Sequence, residues 1–144
     1  MESPRQKKKK EELLLKFRKM HWLMGRRSKL SIQNKLTLYN QVLKPVWTYG
    51  AQLWGCTAQS NRDIIQKFQN NVLRTVVNAP WHFRNERLHH ELRIETIIDA
   101  IKRQAVRHLQ RLRCHINEEA VQLLDTSDII RRLKRTKPLD LAYL

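Results

Sequence analysis

Apolar residues return every three or four positions along most of this 144-residue chain, and little interrupts them. That spacing is the repeat of one face of an α-helix. Gly occurs three times and Pro four times in the whole sequence. A β sandwich or barrel needs a turn signal every ~8–12 residues, which this composition does not supply. A chain of ~150 residues can bury roughly two-thirds of the surface it exposes when unfolded, so a genuine core is expected. The expected fold class is all-α: an irregular helical bundle of about four to six helices. A basic N-terminal helix leads into it and a loosely held C-terminal tail follows. The expected organisation is a mobile basic extension over 1–12, a helical domain over 13–125, and a basic C-terminal helix or tail over 126–144.

Individual helices follow from stripes and stop signals. Leu13, Leu14, Phe17, Met20, Leu23 and Met24 form the first stripe, and Gly25 is the expected stop. Ser31 can cap a second helix, whose stripe runs through Ile32, Leu36, Tyr39, Leu43 and Val46 or Trp47. Pro45 lies inside it, lacks an N–H and crowds the preceding turn, so a kink or break is expected near Leu43 and Lys44. Residues 46–54 are apolar and aromatic on more than one face, which predicts the centre of the core. Ser60 with Asp63 predicts the start of a third helix, buried through Ile64, Ile65, Phe68, Val72, Leu73 and Val76. Pro80 should end it, and residues 81–86 read as a loop anchored by Trp81. Asn85 is the expected cap of a short helix to Leu92. Thr96 and Asp99 open a long helix whose inner face is Ile97, Ile101, Ala105 and Leu112, with His108 or Leu109.

Charge is the second strong signal. Lys and Arg number 29 against 13 acids, a formal net charge of +16. Residues 1–29 carry a net +8, residues 30–101 a net +3 and residues 102–144 a net +5. An isolated basic run is commonly just a solvated helix face. Three runs in one small domain favour a polyanionic partner, bound strongly at low salt and weakly at high salt. The expected contacts are Lys16, Arg18, Lys19, Arg26, Arg27 and Lys29 in the first segment, Lys35 in the second, and Lys102, Arg103, Arg107 and Arg111 on the long helix. Trp22 lies among Arg18, Lys19, Arg26 and Arg27 and is the preferred base-stacking candidate. Taken singly, any of the four tryptophans is more often core than platform.

Signals of bond-making chemistry are missing. No two aspartates are adjacent or one residue apart, whereas two-metal catalysis needs carboxylates that hold ions ~3.5–4 Å apart. The three glycines are scattered and form no phosphate loop. His89, His90, Cys114 and His115 lack the pair spacing of a zinc site. No catalytic residue, metal or cofactor is expected. Two cysteines are too few for a disulfide scaffold, so a reducing, intracellular setting is expected. Residues 7–10 are all Lys and are followed by Glu11 and Glu12, which is not a secretory signal. That run is a candidate nuclear signal, against the plainer reading of a solvated helix start. No apolar run reaches the ~20 residues of a membrane span.

The stretch MHWLMGRRSKLSIQNKLTLYNQVLKPVWTYGAQLWG, residues 20–55, resembles the segment that follows the palm in reverse transcriptases of jockey-like non-LTR retrotransposons. SNRDIIQKFQNNVLRTVVNAPWHFRNERLHHEL, residues 60–92, and TIIDAIKRQAVRHL, residues 96–109, are similar to the same family. The likeness spans about residues 11–125, and residues 43–50, 53–55, 68–73 and 77–81 carry it most specifically. It implies a helical, thumb-like region that holds primer–template and supports the palm. The family's Tyr-x-Asp-Asp motif has no counterpart, because Tyr39, Tyr49 and Tyr143 are not followed by paired aspartates. No catalytic residue carries over.

The leading expectation is a remnant of an RNA-directed DNA polymerase without its palm. Its expected partner is duplex RNA, DNA or hybrid, held by the backbone without base specificity. The parent palm, where present, would be a second partner. A polymerase by ancestry, and a helical module that self-associates or meets proteins or acidic membrane surfaces, are the alternatives.

Overall fold

A computed structural model describes residues 4–122, 124, 138 and 140–143. Among the described residues there is no strand, and the all-α expectation holds. The helices are α1 (Pro4–Met24), α2 (Ile32–Leu38), α3 (Lys44–Thr48), α4 (Ala51–Trp54), α5 (Gln59–Val77), α6 (Asn85–Leu92), α7 (Ile97–Arg113) and α8 (Glu118–Gln122). A π turn (Tyr39–Leu43) joins α2 to α3, and a 3-10 turn (Asp140–Tyr143) closes the chain. Residues 4–12 are the first turns of α1. The basic stretch expected as a helix or tail at 126–137 lies outside the described residues.

Local chemistry explains the boundaries. Ser31 caps α2, its Oγ accepting from the Asn34 N–H at 3.2 Å. Pro45 does not break the next segment. The chain instead widens to the π turn immediately before it, and the Lys44 N–H reaches back to the Tyr39 carbonyl. The looser turn takes up the carbonyl clash that Pro45 would otherwise impose, and the proline then sits at the start of α3 where its missing N–H costs little. Gly50 turns the chain between α3 and α4 with φ +65°, a left-handed conformation natural to glycine. Thr96 caps α7 as expected: its Oγ1 accepts from the Asp99 N–H at 3.2 Å and donates to Asp99 Oδ2 at 2.6 Å.

Two other boundaries differ from expectation. α5 begins at Gln59, ahead of Ser60, and Ala58 at its cap position offers no side-chain acceptor. Asp63 accepts instead from the Gln59 amide at 2.9 Å. Arg84, not Asn85, precedes α6, because the Asn85 carboxamide is taken by Arg74. Gly25 follows α1 directly and stops it as expected, its N–H donating to the His21 carbonyl at 2.7 Å without a left-handed turn.

The core is assembled around α5. α1 packs on α5, α3 and the π turn, while α7 packs on α5, α4 and the 3-10 turn. Leu13, Met24, Tyr39, Leu43, Trp47, Val72, Leu73, Ile97 and Leu141 are wholly enclosed. Phe17 of α1 meets Phe68 of α5 in a T-shaped contact with centroids 6.0 Å apart. Trp47 and Trp54 are central as expected, the Trp54 indole donating to the Trp47 carbonyl at 2.8 Å. Tyr49 and Leu53, from the same apolar run, face solvent instead. Two short helices, α3 and α4, meet at the Gly50 turn within this segment, so its side chains cannot all reach one core. Gly55 permits the close approach of α4 to α7. A Cβ there would meet the Ala51 carbonyl at 2.5 Å and Ile101 at 3.1 Å. Leu141 lies fully buried beside it, so the last described residues are held against α7 although the tail reads as loose in sequence.

Candidate nucleic-acid interface

The expected basic contacts fall into two groups, carried by different elements that both rest on α5. The first group lies on α1 and the loop after it. Arg18, Lys19 and Trp22 share one outward face at three- and four-residue spacing, and Arg26, Arg27 and Lys29 continue it; all six are exposed. Trp22 is 73% exposed, which suits it for stacking rather than packing. Lys16 is half-buried and pairs with Glu12 at 3.2 Å.

The second group lies along α7. Arg103, Arg107 and Arg111 are one row of exposed cations spaced one turn apart. They are not equivalent. Arg103 Nη2 lies 2.5 Å from Glu95, which also accepts from Lys44 at 2.7 Å. Arg107 and Arg111 have no carboxylate partner among the described residues. They border a hollow of about 300 Å³ between α7 and the Gly50 turn, lined also by Thr48, Gln52 and Gln104. A second hollow of about 520 Å³ continues past Gln110 to Cys114. Lys102 is half-buried on the flank.

One expected contact is overturned. Lys35 is only 5% exposed, and its ammonium donates to the Gly25 carbonyl at 3.0 Å. Its cation neutralises the carbonyl end of α1, a structural use of charge. Sequence spacing could not reveal this, because the long lysine stem crosses from α2 to a helix end ten residues away.

The α7 row is held in place by a polar network that charge counting misses. The carboxamide of Gln66 accepts from the Ile97 N–H at 2.8 Å, occupying a donor in the first turn of α7. Gln69, almost wholly buried, donates to the Glu95 carbonyl at 2.9 Å. His89 is buried too, with Nδ1 2.9 Å from the Ile94 carbonyl and Nε2 2.8 Å from Asn70 Oδ1. Together these side chains tie the α6–α7 connection to α5. A signal was available: Gln69 lies four residues after Ile65 and four before Leu73, on the apolar stripe itself. An amide at such a position needs a partner.

The titratable groups inside the fold suit structure rather than chemistry. Burial pushes the Tyr39 phenol up to about 12. The Trp47 and Gln69 side chains partly offset that rise, although the hydroxyl has no partner in hydrogen-bond geometry. Burial also pushes the Cys56 thiol up, with nearby Asp140 adding to the effect. Its Sγ donates to the Gln52 carbonyl at 3.0 Å, and a thiol held in that form is a poor nucleophile. Among the described residues, no group of three or more His, Cys, Asp or Glu side chains could hold a metal ion. No described helix is long and apolar enough to cross a membrane.

Trp81 corrects a further expectation. It does not anchor its loop; it is 91% exposed, and Phe83 is the aromatic residue that packs against the core.

No family model matches the chain, and no solved structure matches it. Curated relatives do. The probable RNA-directed DNA polymerase from transposon X-element of Drosophila melanogaster is 43% identical over 129 residues, covering 90% of this chain and 14% of the relative. The probable RNA-directed DNA polymerase from transposon BS of the same species is 35% identical over 120 residues, covering 83% and 13%. The RNA-directed DNA polymerase from mobile element jockey is 33% identical over 138 residues, covering 90% and 15%. The chain thus spans about one-seventh of the length of these relatives. Along most of its length it is a homologue of a segment of the RNA-directed DNA polymerases of jockey-like non-LTR retrotransposons.

Proposed function

We propose that this chain is the thumb-like part of such a polymerase and grips duplex or hybrid nucleic acid by its phosphates, without reading bases. The observation that carries the reading is the pair Arg107 and Arg111, cations without a carboxylate partner among the described residues, which border a hollow on a helix whose start is tied to α5. The exposed group Arg18, Lys19, Arg26, Arg27 and Lys29 supplies the second set of contacts, with Trp22 beside it. A phosphate-bound protein releases counterions, so log K falls linearly with log salt, at about −0.9 per phosphate neutralised on duplex DNA. Anisotropy with a labelled duplex at several salt concentrations measures that slope. A dissociation constant weaker than millimolar at low salt, or one indifferent to salt, overturns the reading. Strong preference for one sequence overturns it as well.

The chain alone should extend no primer, because it carries no Tyr-x-Asp-Asp sequence and no close aspartate pair for metal ions. Incorporation of nucleotides by the purified chain, with a contaminating polymerase excluded, contradicts this.

A second reading concerns Tyr49 and Leu53, which are 83% and 72% exposed on neighbouring turns. They fit a surface that docks on the palm of a longer chain, or on a second copy when the palm is missing. Sedimentation at low concentration decides for self-association: a clean monomer removes it.

A further inference from the structure

The loop between α5 and α6 is built to expose an indole. Asn78 turns the end of α5 through a left-handed conformation, with φ 52°. The Phe83 N–H donates back to the Pro80 carbonyl at 3.1 Å, which makes Pro80–Phe83 a tight turn with Trp81 at its second position. Arg74 of α5 clamps that turn. Its guanidinium donates to the Pro80 carbonyl at 2.8 Å, to the Phe83 carbonyl, and to Asn85 Oδ1 at 2.8 Å. Phe83 packs inward, and Arg87 lies over its ring at 5.6 Å from the centroid. His82 meets Trp81 in a T-shaped contact at 5.8 Å, and the indole stays 91% exposed.

Beside the indole is a hollow of about 300 Å³ lined by Lys67, Asn70, Asn71, Arg74, Trp81 and Asn85. Three carboxamides, one ammonium, one guanidinium and one indole form the lining. The Asn85 oxygen is engaged by Arg74 and the Asn70 oxygen by the Gln66 amide, so these two offer N–H donors, while the Asn71 carboxamide can both donate and accept, as base edges do. The cations suit a phosphate, and the indole suits any π-face. Lys67, which lines the hollow, has no carboxylate partner among the described residues.

We propose that Trp81 and this hollow hold an unpaired nucleotide, its base stacked on the indole and its phosphate near Lys67. This goes beyond phosphate binding by α1 and α7, because it reads single-stranded character and uses a different surface. The natural ligand class is a nucleic acid with an unpaired end or flap.

The test compares three labelled ligands: a blunt duplex, the same duplex with a three-nucleotide overhang, and the same overhang made abasic. The abasic overhang has the charge of the second ligand but no bases. The unmodified protein should bind the full overhang at least about fivefold more tightly than the abasic one, the lower end of what stacking one base supplies. Trp81→Ala should abolish that ratio and leave blunt-duplex affinity unchanged, whereas Trp81→Phe should keep most of it. Lys67→Gln should weaken both overhangs alike. Because Trp81 is exposed, folding is not at stake, and circular dichroism checks this. Equal affinity for full and abasic overhangs overturns the proposal, as does equal loss in Trp81→Phe and Trp81→Ala. An indole that serves a protein surface would give the first of these outcomes. Loss of blunt-duplex binding in the unmodified protein would instead sink the phosphate reading, while the overhang comparison still stands.

Discussion

α1 and α7 are both long and basic, and both rest on α5, yet they are secured by different means. α7 opens with the Thr96–Asp99 cap, has Asp99 in its first turn, and gives its Ile97 N–H to Gln66. Arg111 and Arg113 lie in its last turn, where the helix dipole favours cations. α1 has no acid in its first turn and carries Lys8 soon after it, where the dipole gives a cation no support. What holds α1 is packing at Leu13, Phe17 and Met24, and the Lys35 ammonium on the Gly25 carbonyl. Similar charge therefore sits on one helix fixed at its start and on another fixed along its side and at its end.

The largest effect should come from breaking the seat of α7. Ile101 is almost fully buried, and Ile101→Ala should cost about 2–5 kcal/mol in urea denaturation. Leu14 of α1 is half-buried, and Leu14→Ala should cost less than about 2 kcal/mol. Equal costs would mean that the two helices are seated alike.

Next in size is a pH effect on the support that both helices share. α1 packs on the π turn that contains Tyr39, and Tyr39 adjoins Gln69, which anchors the start of α7. The folded chain holds the phenolic proton to about pH 12, against 10.0 for the ordinary phenol. A raised folded value means that the contribution is complete below pH 10 and disappears as pH rises toward 12. The loss should reach about 2–3 kcal/mol. Urea titrations at pH 9.5 and pH 12, compared with Tyr39→Phe, isolate this term. The variant should lack that part of the slope, and an identical slope would refute the assignment.

Glu95 comes third. It accepts from Lys44 and from Arg103 while largely shielded from solvent, so Glu95→Gln should cost about 1–2 kcal/mol. It should also free both cations and tighten duplex binding slightly. Loss of stability together with weaker binding would mean that Glu95 chiefly orients α7.

Much of this architecture was legible in the sequence, and the reason is local. The caps at Ser31 and Thr96 need only a hydroxyl and a nearby N–H, and both stand as expected. The disturbance near Leu43 and Lys44 follows from Pro45, though its form as a π turn required the tertiary setting. Failures occurred where a distant partner claimed a side chain. Asn85 looked like a cap until Arg74 took its carboxamide. Lys35 looked like a phosphate contact until a carbonyl ten residues away took its ammonium. Trp81 looked like an anchor because size predicts burial on average, whereas the Arg74 clamp works against that average. In the candidate interface, composition found the cations but could not find Glu95, which decides which of them remain available.

Capping separates the two helices at about 1 kcal/mol. Thr96→Ala removes an acceptor from the first turn of α7 and should cost about that much. Hydrogen exchange should show the first turn of α7 opening more readily, with α1 unaffected. Faster exchange spread evenly over both would imply that they open as one unit.

The smallest effect is also the sharpest, because it distinguishes cations within one row. Arg103, Arg107 and Arg111 look equivalent by spacing, but Arg103 already faces Glu95. A cation engaged by a carboxylate cannot release a full counterion's worth of free energy when a phosphate arrives, since it must first give up its partner. Arg107→Gln should therefore reduce the salt slope of duplex binding by about one, and Arg103→Gln by much less. Arg18→Gln on α1 gives the outside comparison, as that residue is exposed and has no carboxylate partner among the described residues. If Arg18 and Arg107 each remove about one unit, both helices touch the same duplex. If only Arg107 does, the duplex lies along α7, and the charge on α1 serves another contact. An Arg103 effect as large as that of Arg107 would show that Glu95 lets go on binding and that the pairing sets no order within the row.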